Sequence, residues 1–387
     1  MRSVLKWQWL VVAALTSAVL TAQAYTYNDI ADGAWVSAAT WSSSDGGTTY
    51  PQAGDTAVID SNTVSMPANP AGTIYLNSGG KMNVGWCNLV TAALHLNGGT
   101  MVMGAGSWFG ASTLDVYVDS DSVITNSATG DWQGMGIGTC KLVGNATLTV
   151  FNNIIGVSSD TFTISADAAA STYSGLWRII NGKVRFPSMP AAGTAGWANS
   201  TVDVVNANSG FTIGGTSWGE SDLITNVTMT GRGGLFSFNY ANQIHFTNAA
   251  VVSPGTCGTD DAGTLALCAG EQYDTIYFDN GSEYRCNITG IGTGDKIDTG
   301  QAPVNINPGA KLTLKFWTPT ANVPSLSADI LTTTNIVDTD TFTTNVIAAK
   351  GWSNLKVNYE RTTYPRRVYV TGAYTTPPPL GTTVLFR

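Results

Sequence analysis

Hydrophobic residues alternate with polar residues in short runs along the whole chain, and turns containing Gly or Asn separate these runs. Alternation sends successive side chains to opposite faces of a strand, while glycine permits a tight turn. We find no sustained apolar spacing of the i, i+3, i+4, i+7 kind that is typical of an amphipathic helix. The pattern therefore predicts a chain built almost entirely of short β-strands. The clearest runs are 79–84, 98–103, 145–150, 181–186 and 308–314.

Beyond the first sixty residues, tryptophans recur about every 22 positions. A period near twenty residues matches one coil of a β-solenoid, in which coils must stack on one another to bury their apolar side. The spacing predicts an all-β parallel β-helix with an N-terminal cap and a less regular β segment at the C-terminus. An antiparallel β-sandwich is the alternative, because strands at roughly 8–12-residue spacing also fit that fold. The tryptophans of this series are Trp86, Trp108, Trp132, Trp177, Trp197 and Trp218.

The pattern divides the chain into five parts. We predict a signal peptide at 1–24, an N-terminal cap at 25–60, the solenoid at 61–300, a C-terminal β segment at 301–373 and a Pro-rich tail with a terminal strand at 374–387. Trp35 and Trp41 are large enough to cover the end of a narrow core.

The first residues have the order of a secretory signal. Arg2 and Lys6 precede an apolar stretch at 10–20, and the small residues Ala22 and Ala24 fit a cleavage site. The apolar stretch is shorter than the ~20 residues that a membrane-spanning helix needs. We therefore expect an exported protein, secreted or at the cell surface, without membrane insertion.

The charge balance argues against one class of partner. The formal net charge is −8 and the sequence pI is near 4.6. Binding to nucleic acid depends on cations that neutralise phosphates, so we expect no nucleic-acid partner.

The opening of the predicted mature chain resembles a known group of repeat proteins. Trp35, Trp41, Pro51 and the stretch 54–59 follow the pattern at the start of bacterial autotransporter-associated β-strand repeat proteins, and the Gly-rich repeats and the segment 351–369 are similar to the same group. The resemblance implies a right-handed parallel β-helix exposed outside the cell.

Five tryptophans of the series are candidate ligand-binding residues. If they point inward, they pack in the core; if they point outward, they form an aromatic ladder that suits the apolar faces of sugar rings. Their glycine-rich surroundings fit both alternatives, so a polysaccharide is a candidate partner. These residues are Trp86, Trp108, Trp132, Trp197 and Trp218.

The densest acidic stretch lies around a pair of cysteines. Asp260, Asp261 and Glu271 are candidate calcium ligands, because calcium takes several oxygen ligands; the alternative is a solvated acidic loop. Cys257 and Cys268 bracket a short polar loop that contains Asp260 and Asp261, and we expect them to form a disulfide in an oxidising compartment. Calcium is the only cofactor that the sequence suggests.

Catalytic candidates are few. Lys183 and Arg185 alternate with inward positions and share an outward face, as a base and its helper would in a β-helix polysaccharide lyase; a solubilising surface is the alternative. His95 and His245 each lie inside an expected strand, where a structural role is expected. No nucleophile elbow, phosphate-binding loop or His-Glu-x-x-His motif is found. We assign no catalytic residue and expect a non-enzymatic structural or adhesive protein, with a carbohydrate-binding module or lyase as the alternative.

The final strand is a candidate assembly element. Val384, Leu385 and Phe386 follow a stiff proline run. They could fold back as a cap, or add a strand to the sheet edge of a neighbouring copy. End-to-end contacts of the second kind build filaments rather than closed rings.

Overall fold

The computed structural model describes most of the chain after residue 23, and the predicted signal peptide lies outside it except for Ala24. The described residues are 24–47, 49–67, 71–85, 87–88, 90–104, 109–110, 115–126, 134–151, 161–166, 171–186, 198–213, 221–237, 243–259, 261–267, 274–290, 293–334, 336 and 340–377.

The chain winds through three faces in turn, and strands on each face pair in parallel with strands one coil away. This parallel β-solenoid confirms the predicted fold class, and no α-helix occurs in the part of the chain that is described. Among these residues we find no helix with the length and apolar character needed to span a lipid bilayer.

The second face contains a continuous parallel sheet of thirteen strands. Its strands are β2 (Gly33–Ala34), β5 (Thr63–Ser65), β7 (Lys81–Val84), β10 (Thr100–Met103), β13 (Ser122–Asn126), β15 (Leu148–Phe151), β18 (Leu176–Ile180), β20 (Thr201–Val204), β23 (Thr228–Gly231), β26 (Val251–Pro254), β29 (Glu283–Gly290), β33 (Lys311–Phe316) and β35 (Thr343–Ala348).

The first face precedes the second face in each coil. Its strands are β1 (Thr26–Asp29), β4 (Thr56–Ile59), β6 (Ala71–Asn77), β9 (Val90–Asn97), β12 (Asp115–Ser120), β14 (Gly134–Gly144), β17 (Thr172–Tyr173), β22 (Ser221–Thr225), β25 (Gln243–Thr247), β28 (Thr275–Phe278) and β32 (Val304–Ile306). Residues 141–144 of β14 lie on this face, and its N-terminal part pairs on the third face.

The third face follows the second face in each coil. Its strands are β8 (Cys87–Asn88), β11 (Phe109–Gly110), β16 (Thr161–Ala166), β19 (Gly182–Phe186), β21 (Ser209–Ile213), β24 (Gly234–Ser237), β27 (Thr264–Leu267), β31 (Lys296–Asp298) and β34 (Val323–Thr333).

Antiparallel pairs occur at the two ends and in one hairpin. At the start, β3 (Trp41–Ser43) follows the short 3₁₀ helix Ala38–Thr40 and pairs with β1. Near the C-terminus, β37 (Arg366–Tyr374) pairs with β34 on one side and with β36 (Trp352–Glu360) on the other. The hairpin strand β30 (Thr293–Gly294) pairs with β29.

The core is a set of apolar columns that run along the axis. On the second face, Met82, Met101 and Ile124 occupy equivalent positions in successive coils, and all three are fully buried. Burying each such side chain contributes roughly 1.5–3 kcal/mol, which is realised only when a neighbouring coil covers it.

Coil length varies while register is kept. Val64 pairs with Met82, 18 positions later, whereas Leu312 pairs with Thr344, 32 positions later. The predicted period of about 22 residues therefore lies within a wider range of coil lengths. The loops between the faces differ in length, so coil length changes while the strands stay in register. Parallel pairing also extends beyond the predicted solenoid range of 61–300, through β1 and β4 at one end and β33 and β35 at the other.

Two tryptophans close the first coil. Trp35 and Trp41 are both buried, and their rings meet edge to face with centroids 5.1 Å apart. The indole N–H of Trp41 donates to the carbonyl of Trp35 at 2.7 Å, and that of Trp35 donates to the carbonyl of Pro51 at 3.2 Å. A ring pair with satisfied N–H groups seals this end of the core, in the region where the sequence predicts a cap.

Candidate functional site

An aromatic ladder runs along the outside of the first face. Tyr75, His95 and Tyr117 occupy equivalent positions in three successive coils. The His95 ring stacks on Tyr75 with centroids 4.2 Å apart and on Tyr117 with centroids 4.6 Å apart, and both ring pairs are within 11° of parallel. Asp119 Oδ2 lies 2.7 Å from His95 Nδ1 and fixes the ring. Both faces of the His95 ring are thus covered by its neighbours.

A second ladder of the same kind lies farther along the first face. His245 stacks on Tyr277 with centroids 4.2 Å apart and an interplanar angle of 4°. Its Nδ1 lies 2.8 Å from Asp279 Oδ2, and its Nε2 lies 3.3 Å from Gln243 Oε1. Asn307 Nδ2 donates to the other oxygen of Asp279 at 2.6 Å. Hydrogen bonds thus connect Asp279 to three other side chains, and the connected group spans three coils.

The two ladders share a local sequence rule. In each, the tyrosine that stacks on the histidine is followed two positions later by the aspartate that binds histidine Nδ1: Tyr117 with Asp119, and Tyr277 with Asp279. Two positions along a strand return to the same face, so the tyrosine and the aspartate project from the same face of the sheet, beside the histidine of the neighbouring coil. The expected structural role of His95 and His245 agrees with these contacts.

Uncharged polar side chains form a parallel ladder beside the first one. Asn97 Nδ2 donates to Asn77 Oδ1 at 3.0 Å, and Ser120 Oγ donates to Asn97 Oδ1 at 3.0 Å. Asn77 in turn donates to the carboxylate of Asp60. In these coils, the polar side chains of one coil hydrogen-bond to those of the next coil without the use of Lys or Arg.

Buried aspartates hold the turns of the first two coils. Asp29 accepts the backbone N–H groups of Asp60, Ser61 and Asn62 at 2.9, 3.1 and 2.6 Å. Burial pushes the pKa of Asp29 upward, but these donors outweigh burial and the pKa is lowered. A carboxylate with three backbone donors ties one coil to the turn of the next coil.

Asp295 is a described carboxylate whose pKa lies far above its ordinary value. It is fully buried, and its Oδ1 accepts the N–H of Gly263 at 2.9 Å. Its Oδ2 accepts the backbone N–H of Asn287 at 2.8 Å and Nδ2 of the same residue at 2.9 Å. Burial raises the pKa of Asp295 to about 7 against the effect of these donors, and the negative charge of Asp261 adds to the rise.

Of the predicted calcium ligands, the structure describes Asp261. Its carboxylate accepts Thr256 N and Thr256 Oγ1 at 2.8 Å each and Thr259 Oγ1 at 2.5 Å, and it forms an ion pair with Arg232. The Thr259 hydroxyl is the main cause that lowers the pKa of Asp261 to about 2. Both carboxylate oxygens of Asp261 thus accept hydrogen bonds from the loop 256–261 and stabilise its conformation. Within the described ranges no cluster of three His, Cys, Asp or Glu side chains is suited to a metal ion. Asp260 and Glu271 lie outside the described residues, and calcium binding stays a prediction.

Cys257 carries a free, half-buried thiol. Cys268 lies outside the described residues, so the Cys257–Cys268 disulfide stays a prediction. Burial raises the pKa of the Cys257 thiol, and the nearby charge of Asp203 raises it further.

Arg178 and Asp203 form a pair of opposite charges that sequence reasoning missed. They occupy equivalent positions one coil apart on the second face. Asp203 is buried, which raises its pKa, while the Arg178 charge opposes that rise. The sequence contains a signal for this pair, because an arginine and an aspartate stand 25 positions apart, which is one coil length at this point.

The tryptophan series is described at one position. Trp177 is fully buried, is in register with Leu148 and Val202, and meets the ring of Tyr173 edge to face at 5.2 Å. This tryptophan therefore belongs to the core. The five candidate ligand-binding tryptophans lie outside the described residues, and their role stays a prediction: Trp86, Trp108, Trp132, Trp197 and Trp218.

Of the remaining candidate residues, the structure describes the backbone of two and leaves three outside the described ranges. Lys183 and Arg185 lie on β19, two positions apart, and nothing is described of their side chains. Val384, Leu385 and Phe386 lie outside the described residues. Neither a protein-family model nor a curated protein matches this sequence.

Proposed function

We propose that the chain is an exported, non-enzymatic β-solenoid that serves as a structural or adhesive element at a cell surface or in an extracellular matrix. The observation that carries this proposal is the parallel stacking of coils, seen in the thirteen-stranded sheet of the second face and in the first-face side-chain ladders that link one coil to the next. The signal-like N-terminus and the resemblance to autotransporter-associated β-strand repeat proteins support export.

The stack has the dimensions of a rigid spacer. With ~4.8 Å between neighbouring strands, thirteen strands extend over about 60 Å. Each coil buries its apolar side only against its neighbours, so the stack gains stability with each added coil. A protein of this kind holds its ends apart and offers a long lateral surface.

The described ladders favour the structural proposal over sugar binding. A sugar ring packs on an open aromatic face, whereas both faces of His95 are covered by Tyr75 and Tyr117. The polar ladder of Asn77, Asn97 and Ser120 is likewise closed by internal hydrogen bonds. The rings thus hold coils together.

The test uses the mature chain from Tyr25. We expect rods by electron microscopy, binding to the surface of the producing cells or to their matrix, and neither saturable glycan binding on an array nor cleavage of acidic polysaccharides. Saturable binding that is lost in Trp108→Ala and Trp218→Ala, but kept in the core variant Trp177→Phe, would establish the carbohydrate-binding alternative instead. Chain cleavage that is lost in Lys183→Ala would establish the lyase.

A further inference from the structure

Exposed apolar side chains are concentrated at the two ends of the stack. Ile30 and Val36 flank β2 in the first coil and are 58% and 53% exposed. Val346 and Ile347 on β35 in the last coil are 43% and 52% exposed. Two other large hydrophobic residues are exposed in the described ranges, Trp317 directly after β33 and Tyr364 between β36 and β37. The coils from β5 to β29 bury theirs, so the exposed apolar surface lies where another coil would stack.

The C-terminal end of the second face has an unpaired edge. In the described part of the chain, β35 pairs with β33 on one side, and all six of its residues are exposed. Val346 is in register with the buried Leu314, so the core column continues into a position that nothing described covers. A groove of about 530 Å³ opens between β35 and β36, lined by Leu314, Phe342, Val346 and Leu355.

The opposite end of the same face offers the matching element. Among the described residues, β2 pairs with β5 alone, in the same parallel sense that β35 has toward β33. A second copy displaced along the axis would therefore bring its β2 to the free edge of β35 in the direction that the whole sheet already uses. An uncovered edge of this kind is a template for pairing with another chain.

The two ends also carry opposite charge. Residues 24–67 contain five aspartates and no Lys, Arg or Glu, whereas residues 343–374 contain five Lys or Arg residues and one Glu. Asp32 and Asp45 are exposed at the acidic end, and Lys350 and Lys356 are exposed at the basic end. Opposite potentials on two surfaces steer their association and fix its orientation.

We propose that a second copy of this chain docks head to tail, with its first coil on the β35 edge and the adjoining groove. The proposal rests on the proposed function as a rod and names its partner. A contact between two different surfaces of one protein does not close on itself, so repeated docking builds a filament one solenoid wide. The competing occupant is the chain's own segment 378–387, which would cover the same edge within one molecule.

The first test measures assembly of the mature chain by analytical ultracentrifugation and negative-stain electron microscopy. We expect sedimentation coefficients that rise with protein concentration, filaments one solenoid wide, and at least tenfold weaker association at about 500 mM than at about 20 mM salt, because salt screens the end charges. A chain that stays monomeric at all concentrations and salt levels would overturn the proposal.

A charge exchange tests the surfaces themselves. The variant K350E/K356E changes the net charge of residues 343–374 from +4 to 0, and the variant D32K/D45K changes that of residues 24–67 from −5 to −1. Each variant alone should therefore lose assembly, while an equimolar mixture, in which the exchanged charges face each other, should regain it. The control K81E/K141E changes two charges on inner coils and should assemble like the unaltered chain. Circular dichroism and thermal melting verify that every variant is folded. If each end variant assembles alone as well as the unaltered chain does, the proposed surfaces are wrong.

Deleting 378–387 decides between the two occupants. Under our proposal the shortened chain assembles at least as well as the full chain. If the full chain is monomeric and only the shortened chain assembles, the segment caps its own edge and the proposal fails. Folded, monomeric rods that still bind cells or matrix would leave the proposed function intact, whereas saturable glycan binding would refute the function and not the assembly.

Discussion

Asp295 should make the stability of this protein fall as pH rises through the neutral range. Burial raises its pKa from the ordinary 3.8 to about 7. Between these two values the folded chain holds a proton that the unfolded chain has released. Stability therefore decreases with increasing pH across this window and levels off above pH 7.

The size of the effect follows from the width of the window. A difference of one pKa unit corresponds to about 1.36 kcal/mol, so the whole window amounts to roughly 4 kcal/mol. Only part of it lies between pH 5 and pH 8, where the linkage relation gives a change of about 2.5 kcal/mol. Asp295 is fully buried, so solvent does not screen the effect.

The perturbation is Asp295→Asn, which removes the titrating group and keeps the shape. Asn can still accept the N–H of Gly263, but its amide faces the two donors of Asn287, so a constant loss of stability is expected as well. The informative quantity is the free energy of unfolding of the unaltered chain minus that of the variant, measured by urea denaturation at several pH values. This difference should fall by about 2.5 kcal/mol from pH 5 to pH 8.

Two further variants serve as a second test and a control for the Asp295→Asn measurement. Asp261→Asn removes the charge that helps to raise the pKa of Asp295, so the window should move to lower pH. Glu360→Gln removes an exposed carboxylate whose pKa is lowered by hydrogen bonds from Thr362 and Thr363, and it should leave the pH dependence above pH 5 unchanged. Parallel stability curves for Asp295→Asn and the unaltered chain would refute the reasoning and show that Asp295 is ionised throughout.

Four other outcomes are expected. Gly231→Ala should destabilise the fold by several kcal/mol, since a Cβ there would collide with the Val204 carbonyl. Gly258 is also at positive φ but has open space around it, so Gly258→Ala should cost about 1 kcal/mol. Thermal melting of the two variants measures the difference. His95→Ala should cost about 1–3 kcal/mol through two lost ring stacks, and His95→Phe should restore most of this in urea titrations. Asp29→Ala should cost about 1–3 kcal/mol by leaving backbone donors unpaired, which a lower urea midpoint would show. Mass spectrometry of the chain from Tyr25, folded under oxidising conditions and analysed with and without reductant, should find Cys257 free if the structure holds. It should find a 257–268 linked peptide if the sequence prediction holds.

The alternation of apolar and polar residues was enough to predict most of the fold. The alternating runs at 79–84 and 98–103 contain the second-face strands β7 and β10, because an inward apolar residue every second position is the pattern that a buried strand face requires. Coil length was less accessible, because loops between the faces can lengthen without moving the register, as Leu312 and Thr344 show. The single predicted period of about 22 residues therefore could not give the lengths of the individual coils.

Side-chain roles were harder to predict than strands. Of the tryptophan series the structure describes Trp177, which belongs to the core, and the aromatic ladder that it describes is made of Tyr75, His95 and Tyr117, which the sequence pattern did not connect. These three residues are 20 and 22 positions apart, and such a ladder appears only when the coil register is known. Asp295 was missed for a similar reason, because burial, rather than any local motif, sets its chemistry.

The direction of the ladders determines how the molecule bears mechanical load. Backbone hydrogen bonds between coils, the ring stack through His95 and the amide ladder through Asn97 all run along the axis. Tension applied at the two ends therefore pulls directly on these contacts, and successive coils carry the same force in series. The coil boundary with the weakest contacts, rather than the sum of all boundaries, sets the force at which the rod opens.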